Sequence, residues 1–179
     1  MKNKVEPKTL SGFMELMPQD QILFSNIPSD LNNLDEYLLP IKDFLKENSR
    51  FGDVVLIQGD FGAVYQGYHS DITRTVVLGK ASPLQKKLYD IVLRAQKKGV
   101  AAVKAGVAGK TVDAACRDSI TADGYGEYFG HGTGHGVGLD IHEEPVASPR
   151  SESVLSTNMV VTVEPGVYLP GEIGLRIED

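Results

Sequence analysis

Five residues of this chain have the types and settings that chemistry needs: Asp60, Asp71, His135, Glu164 and Glu178. The aspartates bracket the run Asp60-Phe61-Gly62-Ala63-Val64-Tyr65-Gln66-Gly67-Tyr68-His69-Ser70-Asp71. His135 lies in His131-Gly132-Thr133-Gly134-His135-Gly136-Val137-Gly138-Leu139-Asp140-Ile141-His142-Glu143. Glu164 opens Glu164-Pro165-Gly166, and Glu178 closes Gly174-Leu175-Arg176-Ile177-Glu178. Four carboxylates and one imidazole suit two divalent cations held close together, with a water or hydroxide between them. Hydrolysis is the chemistry such a donor set supports.

Each residue alone has a plainer reading. Strands disfavour aspartate, so the pair could be solvated carboxylates on a surface loop. Their apolar neighbours (Ile57 and Phe61, Tyr68 and Ile72) point inward instead, where a carboxylate needs a cation or a proton to offset its lost hydration. Three of the four histidines, His131, His135 and His142, are interleaved with glycines that let the backbone pass close to a ligand. Two histidines four residues apart in that setting are as readily structural as chemical. The helical His-Glu-Xaa-Xaa-His zinc motif is absent from the sequence. Glu164 closes the apolar run Met159–Val163, and either it or Glu178 could be a strand-end carboxylate facing water. Arg176 shares the strand face of Glu178 and could steady a ligand carboxylate.

The elements that must carry these groups are partly legible. Residues 35–48 read as a helix whose true start is Pro40. Val54–Ile57 is a short buried-strand run. Ala63–Tyr65 and Ile72–Leu78 read as strands paired around Gln66-Gly67, which would place Asp60 and Asp71 face to face on one hairpin. Ser82-Pro83 starts a helix, with Leu84, Leu88, Ile91, Val92 and Ala95 at helical spacing and Gly106 as its stop. Thr111 caps a second helix, with Val112, Ala115, Cys116 and Ser119 on one face, ending at Gly124. Val160–Glu164 and Gly174–Glu178 read as strands. Strands before and after a helix pair predict an α+β domain with a largely antiparallel sheet.

Together these signals carry a resemblance. From Gly52 to Asp179 the chain resembles the pita-bread (creatinase/aminopeptidase-like) metallopeptidases: methionine aminopeptidase, aminopeptidase P and prolidase. The strings at 67–75 (Gly-Tyr-His-Ser-Asp-Ile-Thr-Arg-Thr), at 130–139 (Gly-His-Gly-Thr-Gly-His-Gly-Val-Gly-Leu) and at 163–168 (Val-Glu-Pro-Gly-Val-Tyr) are most similar to the Xaa-Pro peptidase branch. The resemblance implies that Asp60 and Asp71 hold one metal, and that Asp71, His135, Glu164 and Glu178 hold the other, with Asp71 and Glu178 bridging. It implies that Glu164 also accepts a proton, and that His131 and His142 contact the substrate or the tetrahedral intermediate. It implies two divalent ions, Mn2+ first and Co2+, Fe2+ or Zn2+ as alternatives. The implied substrate is a peptide with proline at its second position, cut as an aminopeptidase or dipeptidase would cut it.

The sequence also departs from that pattern. The family carries a further histidine upstream of its first ligand aspartate. Here that region reads Lys42-Asp43-Phe44, and no histidine precedes His69. Most of the first half of the family's two-part domain is missing, and Glu178 stands one residue from Asp179, where a frayed end would place a bridging ligand poorly. These departures predict an incomplete domain with impaired turnover. The rival reading is a pita-bread module that binds peptide or protein without cutting it. Residues 1–50 read as a leader and bridging segment, and 51–179 as the partial peptidase domain. Residues 1–24, with Lys8-Thr9-Leu10-Ser11-Gly12-Phe13-Met14-Glu15-Leu16-Met17-Pro18, resemble the opening of a histidyl-tRNA synthetase but carry none of its catalytic motifs.

Bulk properties narrow the function classes. A net charge of −6 argues against nucleic acid as the main partner. No apolar run approaches a membrane span, and Met1–Glu6 leads into no signal-peptide core. One cysteine, Cys116, excludes an internal disulfide framework, so a cytoplasmic location is expected. A homodimer is allowed, with no segment arguing for it.

Overall fold

A computed structural model describes residues 55–179. Eight strands, two helices and one 3-10 turn follow one another as β1 (Val55–Phe61), β2 (Val64–Tyr65), β3 (Tyr68–His69), β4 (Ile72–Leu78), α1 (Pro83–Ala102), α2 (Gly109–Ala122), the turn Gly126–Tyr128, β5 (Gly134–Gly136), β6 (Glu143–Ala147), β7 (Gly166–Leu169) and β8 (Ile173–Arg176). The strands form antiparallel pairs, β1 with β4, β2 with β3, β5 with β6 and β7 with β8. The class is α+β, as the pattern of elements predicts. The expected helix at 35–48 and the whole of the leader and bridging segment, residues 1–50, lie outside the described residues. None of the described helices is long and apolar enough to cross a membrane.

The first hairpin corrects the pairing read from sequence. Gln66 and Gly67 both have positive φ, 51° and 87°, the conformation of a two-residue hairpin turn whose twist matches its strands. That turn joins β2 to β3, pairing Tyr65 with Tyr68 and Val64 with His69. Ile72–Leu78 pairs instead with Val55–Phe61, in the same register continued past a break at residues 62–63 and 70–71. Asp60 is therefore opposite Thr73, not Asp71. Asp71 precedes β4 two residues before Thr73, so the two aspartates are diagonal neighbours on one face.

Helix α1 begins where its sequence dictates. Ser82 Oγ accepts from Gln85 N at 3.2 Å while Gln85 Oε1 accepts from Ser82 N at 2.7 Å, a reciprocal cap with Pro83 in the first turn. The helix stops at Ala102, before the expected Gly106, which has φ +86° in the turn beyond. Helix α2 starts at Gly109 and has Ala108 as its N-cap, so the expected Thr111 cap is a residue of its first turn. The physical reason is tertiary: Gly109 N and Lys110 N donate to the carbonyls of Ser153 and Ser151, which satisfy the free end without a side-chain cap.

The core lies between the two helices and the later strands. Leu88, Ile91, Val92 and Ala95 of α1 meet Val112, Cys116 and Ile120 of α2, and Val163, Val167, Leu175 and Ile177 close the other side. Gly99 sits at the tightest point, where a methyl group would collide with Cys116 Sγ and Val163 Cγ1. Alanine gains about 1 kcal/mol in helix propensity. Overpacking a filled core costs about 1–3 kcal/mol. The contact is closer than side chains tolerate, so strain wins. Gly99→Ala is expected to lower the melting temperature by about 2–4 °C; an unchanged or higher value in a thermal melt would show that α1 can shift outward.

Candidate metal centre

Residues 160–164 were expected to form a strand. They form an irregular extended segment with one isolated bridge, Val161 to Gly136. Its backbone is paired on both sides nonetheless. Thr162 N donates to His135 O at 2.8 Å and Glu164 N to Thr133 O at 2.7 Å, while Val163 N donates to Asp179 O at 2.8 Å. This segment sits between β5 and the chain after β8, so His135, Glu164 and Glu178 come from three adjacent stretches of backbone. Gly134 and Gly136 make the approach on the His135 side feasible, because a Cβ at either would collide with the carbonyl of Thr162 or of Glu144.

The five side chains singled out by sequence converge. Ligand-type atoms of Asp60, Asp71 and Glu178 lie within 4.8 Å of one another, as do those of His135, Glu164 and Glu178. His135 Nε2 is 3.1 Å from Glu164 Oε1 and 3.7 Å from Asp71 Oδ2. His142 joins from the solvent side, its ring edge-on to His135 at 4.3 Å, and forms a third such group with Asp71 and His135. His131 belongs to none of the three groups. It packs between Phe129 and Tyr168, at ring distances of 5.0 and 5.5 Å. Arg176 reaches across the site to Asp60, with Glu164 Oε2 at 3.8 Å and the Tyr168 hydroxyl accepting at 3.2 Å. Asp60 is less enclosed than its apolar neighbours implied, with 48% of its side chain exposed against 12% for Asp71.

Glu178 corrects a further expectation. It is 1% exposed, not frayed. Its backbone N–H donates to Thr73 O at 3.2 Å and its Oε2 accepts from Thr73 Oγ1 at 2.5 Å. Arg74 donates to the carbonyl of Glu178 and, at 2.6 Å, to Asp179 Oδ1, and Gln96 Nε2 holds Asp179 Oδ2 at 3.0 Å. These supporting residues escaped the sequence reading. The signal for them was a strand carrying Thr73 and Thr75 on its inward face, where valine would be ordinary.

Charge is concentrated here. Burial and the neighbouring Glu164, Asp71 and Asp60 push the Glu178 carboxyl up to about 7. Burial and Asp60 push Asp71 up as well. Burial also pushes Glu164 upward, but its hydrogen bond to His135 and the charges of His135 and Arg176 outweigh it, leaving Glu164 below its ordinary value. His135 is raised to about 9, chiefly by the same hydrogen bond. Burial lowers His131. Both His131 and His135 have Nδ1 against a carbonyl, Gly132 O at 2.7 Å and Gly136 O at 3.0 Å. A carbonyl only accepts, so Nδ1 carries a proton in both rings; Nε2 of His131 is left without a partner, while Nε2 of His135 faces Glu164.

This donor set fits divalent cations. Glu178 Oε1 is buried with no hydrogen-bond partner, among carboxylates that repel one another. A cation would satisfy that oxygen and displace the proton that His135, with its raised pKa, holds toward Glu164.

The sequence matches a family model described as metallopeptidase family M24 over residues 39–179. A second model, an uncharacterized protein family named MJ1673, matches residues 3–74. An uncharacterized peptidase of Bacillus subtilis is 56% identical over 128 residues, which is 72% of this chain and 36% of that protein. The crystal structure of the prolidase from Pyrococcus horikoshii superimposes with a TM-score of 0.67 at 53% identity, covering 72% of this chain and 36% of the prolidase. An X-Pro aminopeptidase structure from Thermotoga maritima gives 0.66 at 51% identity, covering 71% and 36%. The chain thus spans about a third of the length of the relatives it matches.

Proposed function

Because this chain belongs to metallopeptidase family M24, with the fold of prolidases and Xaa-Pro aminopeptidases, we propose that its clustered carboxylates and imidazole form a two-metal centre that hydrolyses the peptide bond preceding proline. The observation that carries the reading is the pair of ligand groups joined through Glu178, one completed by Asp60 and Asp71, the other by His135 and Glu164. In this reading Glu178, common to both groups, would serve both ions, and Asp71, whose Oδ2 is 3.7 Å from His135 Nε2, would be the second shared ligand. Mn2+ first, with Co2+, Fe2+ and Zn2+ as alternatives, is what the family resemblance implies, and a donor set of four carboxylates and one imidazole is compatible with it. The proline preference is taken from relatives described as Xaa-Pro dipeptidase, prolidase and X-Pro aminopeptidase.

When bound, divalent cations supply Lewis acidity toward the scissile carbonyl and a water acidified toward neutral pH. The residues supply the rest. Glu164 is held ionised by His135 and Arg176, so it can accept a proton. His131 presents an unprotonated Nε2 from a buried ring, suited to accept a hydrogen bond from a substrate N–H. His142 is exposed at the rim and beside His135, where it can meet the developing oxyanion or the leaving nitrogen. Arg176 offsets charge on Asp60 and Glu164 and keeps both oriented.

Calorimetric titration of the metal-stripped chain with Mn2+, followed by assays on an Xaa-Pro dipeptide and on a longer peptide with proline second, tests the proposal. About two ions bound, together with Mn2+-dependent release of the residue before proline, is the expected result. Ion binding with peptide bound but uncut would assign a binding module instead. No ion bound would sink both the centre and the activity.

A further inference from the structure

We propose that Asp113 and Arg117 are positioning residues that fix the His131 imidazole from behind the site; this rests on the role given to His131 above. Neither residue touches the clustered ligands. Asp113 is 1% exposed within α2. Its carboxylate accepts four hydrogen bonds: from Arg117 Nε at 2.7 Å, Arg117 Nη2 at 2.9 Å, Thr133 N at 3.1 Å and Thr133 Oγ1 at 3.0 Å. Arg117 uses its remaining donors on the loop that carries His131. Nη1 donates to Phe129 O at 2.8 Å and Nη2 to His131 O at 2.7 Å. The guanidinium lies 4.2 Å from the centre of the Phe129 ring, which also meets the His131 ring edge-on at 5.0 Å.

The loop needs such a device. His131 stands between Gly130 and Gly132, which leave its backbone many conformations, and its own side-chain bond goes to Gly132 O inside the same loop. Apolar residues would fasten the loop to α2 without burying charge. The planar guanidinium adds direction, since one rigid fork fixes two carbonyls two residues apart and the carboxylate fixes the fork. Displacing those carbonyls turns the imidazole. Thr133 extends the effect of Asp113, because its carbonyl accepts from Glu164 N. Arg117 bonds directly to the His131 end and reaches Thr133 only through Asp113.

The test is Arg117→Lys in the full chain. Lysine keeps the charge beside Asp113 but cannot hold both carbonyls. The first readout is the histidine side-chain 1H–15N spectrum of the metal-free protein at one pH, with His131→Gln assigning the His131 resonances. The expected result is shifted or broadened His131 resonances with those of His69 in place. The second is kinetic: kcat about ten- to a hundredfold lower with KM within about twofold of the parent, and Mn2+ affinity preserved. A variant that melts earlier but keeps the His131 resonances and kcat of the parent would make the pair purely structural and overturn the proposal. If Arg117→Lys shows no cooperative melt, Thr133→Val, which removes one donor to the same carboxylate at equal volume, must move the same resonances, and their staying put overturns it equally. A parent that binds Mn2+ but cuts nothing defeats the proposed activity while the spectrum still decides the clamp.

Discussion

Glu164→Gln is expected to lower kcat for Xaa-Pro cleavage by about a thousandfold or more, with the chain still folded. Glutamine keeps the volume and can still accept from Thr162 Oγ1, 3.1 Å from Oε1 in the parent. It loses the negative charge, the proton-accepting oxygen and a ligand to one ion. An activity-independent readout comes from His135. Its pKa of about 9 has the hydrogen bond that it donates to Glu164 as the largest cause, so in the metal-free variant that value should fall. The sign is fixed by the parent. His135 is raised from 6.5 and Glu164 is lowered from 4.5, so their attraction is at full strength between those values. It is lost as pH rises through about 9, and lost again as pH falls through the depressed Glu164 value. Imidazole titration by NMR checks the first half. If His135 titrates alike in parent and variant, the pair does not exist in solution; if hydrolysis persists, Glu164 is not the proton acceptor.

The sequence revealed residue types better than it revealed how they are held. Asp60, Asp71, His135, Glu164 and Glu178 stood out because a charged residue beside an apolar strand, or a histidine among glycines, needs a reason, and the structure draws all five together. The strand pairing around Asp71 was misread because Ala63–Tyr65 and Ile72–Leu78 each look like a partner for the other. What decides is the two-residue turn at Gln66-Gly67, which fixes the register from the tip and sends Ile72–Leu78 to Val55–Phe61. The α2 start was misread because tertiary acceptors, the carbonyls of Ser151 and Ser153, replaced the side-chain cap that the local sequence offered. Asp113 and Arg117 escaped notice for a different reason. An aspartate four residues before an arginine on a helix looks like an ordinary surface ion pair. Only the fold shows that this face of α2 is covered by residues 129–133.

The second large effect is expected at Glu178, where stability and ion binding oppose each other. Its pKa is raised from 4.5 to about 7 in the metal-free protein, so its contribution to stability is fully present below 4.5 and is lost as pH rises through about 7. With the side chain 1% exposed, solvent screening is slight, and a shift of that size corresponds to roughly 3 kcal/mol. Glu178→Gln mimics the protonated acid permanently. Its carbonyl can keep the bond from Thr73 Oγ1, and its amide would point toward the carboxylates of Asp60, Asp71 and Glu164 instead of repelling them. The metal-free variant should therefore melt above the metal-free parent at pH 8, and the two should converge toward pH 5. The same substitution removes the residue common to the two ligand groups that hold the four carboxylates, so Mn2+ affinity should fall by at least about a hundredfold. In the parent, ion binding must displace protons from Glu178 and His135, so Mn2+ should bind more tightly, and raise the melting temperature more, at pH 8 than at pH 6. Thermal melts of parent and variant across that range, with chelator and with Mn2+, measure all of this together. A metal-free parent equally stable at pH 5 and pH 8 would mean that the carboxylates are spread apart in solution. A cluster held together by its neighbours must instead gain stability from a proton, from an uncharged amide or from a cation, and of these only the cation supplies the Lewis acid that the proposed hydrolysis needs.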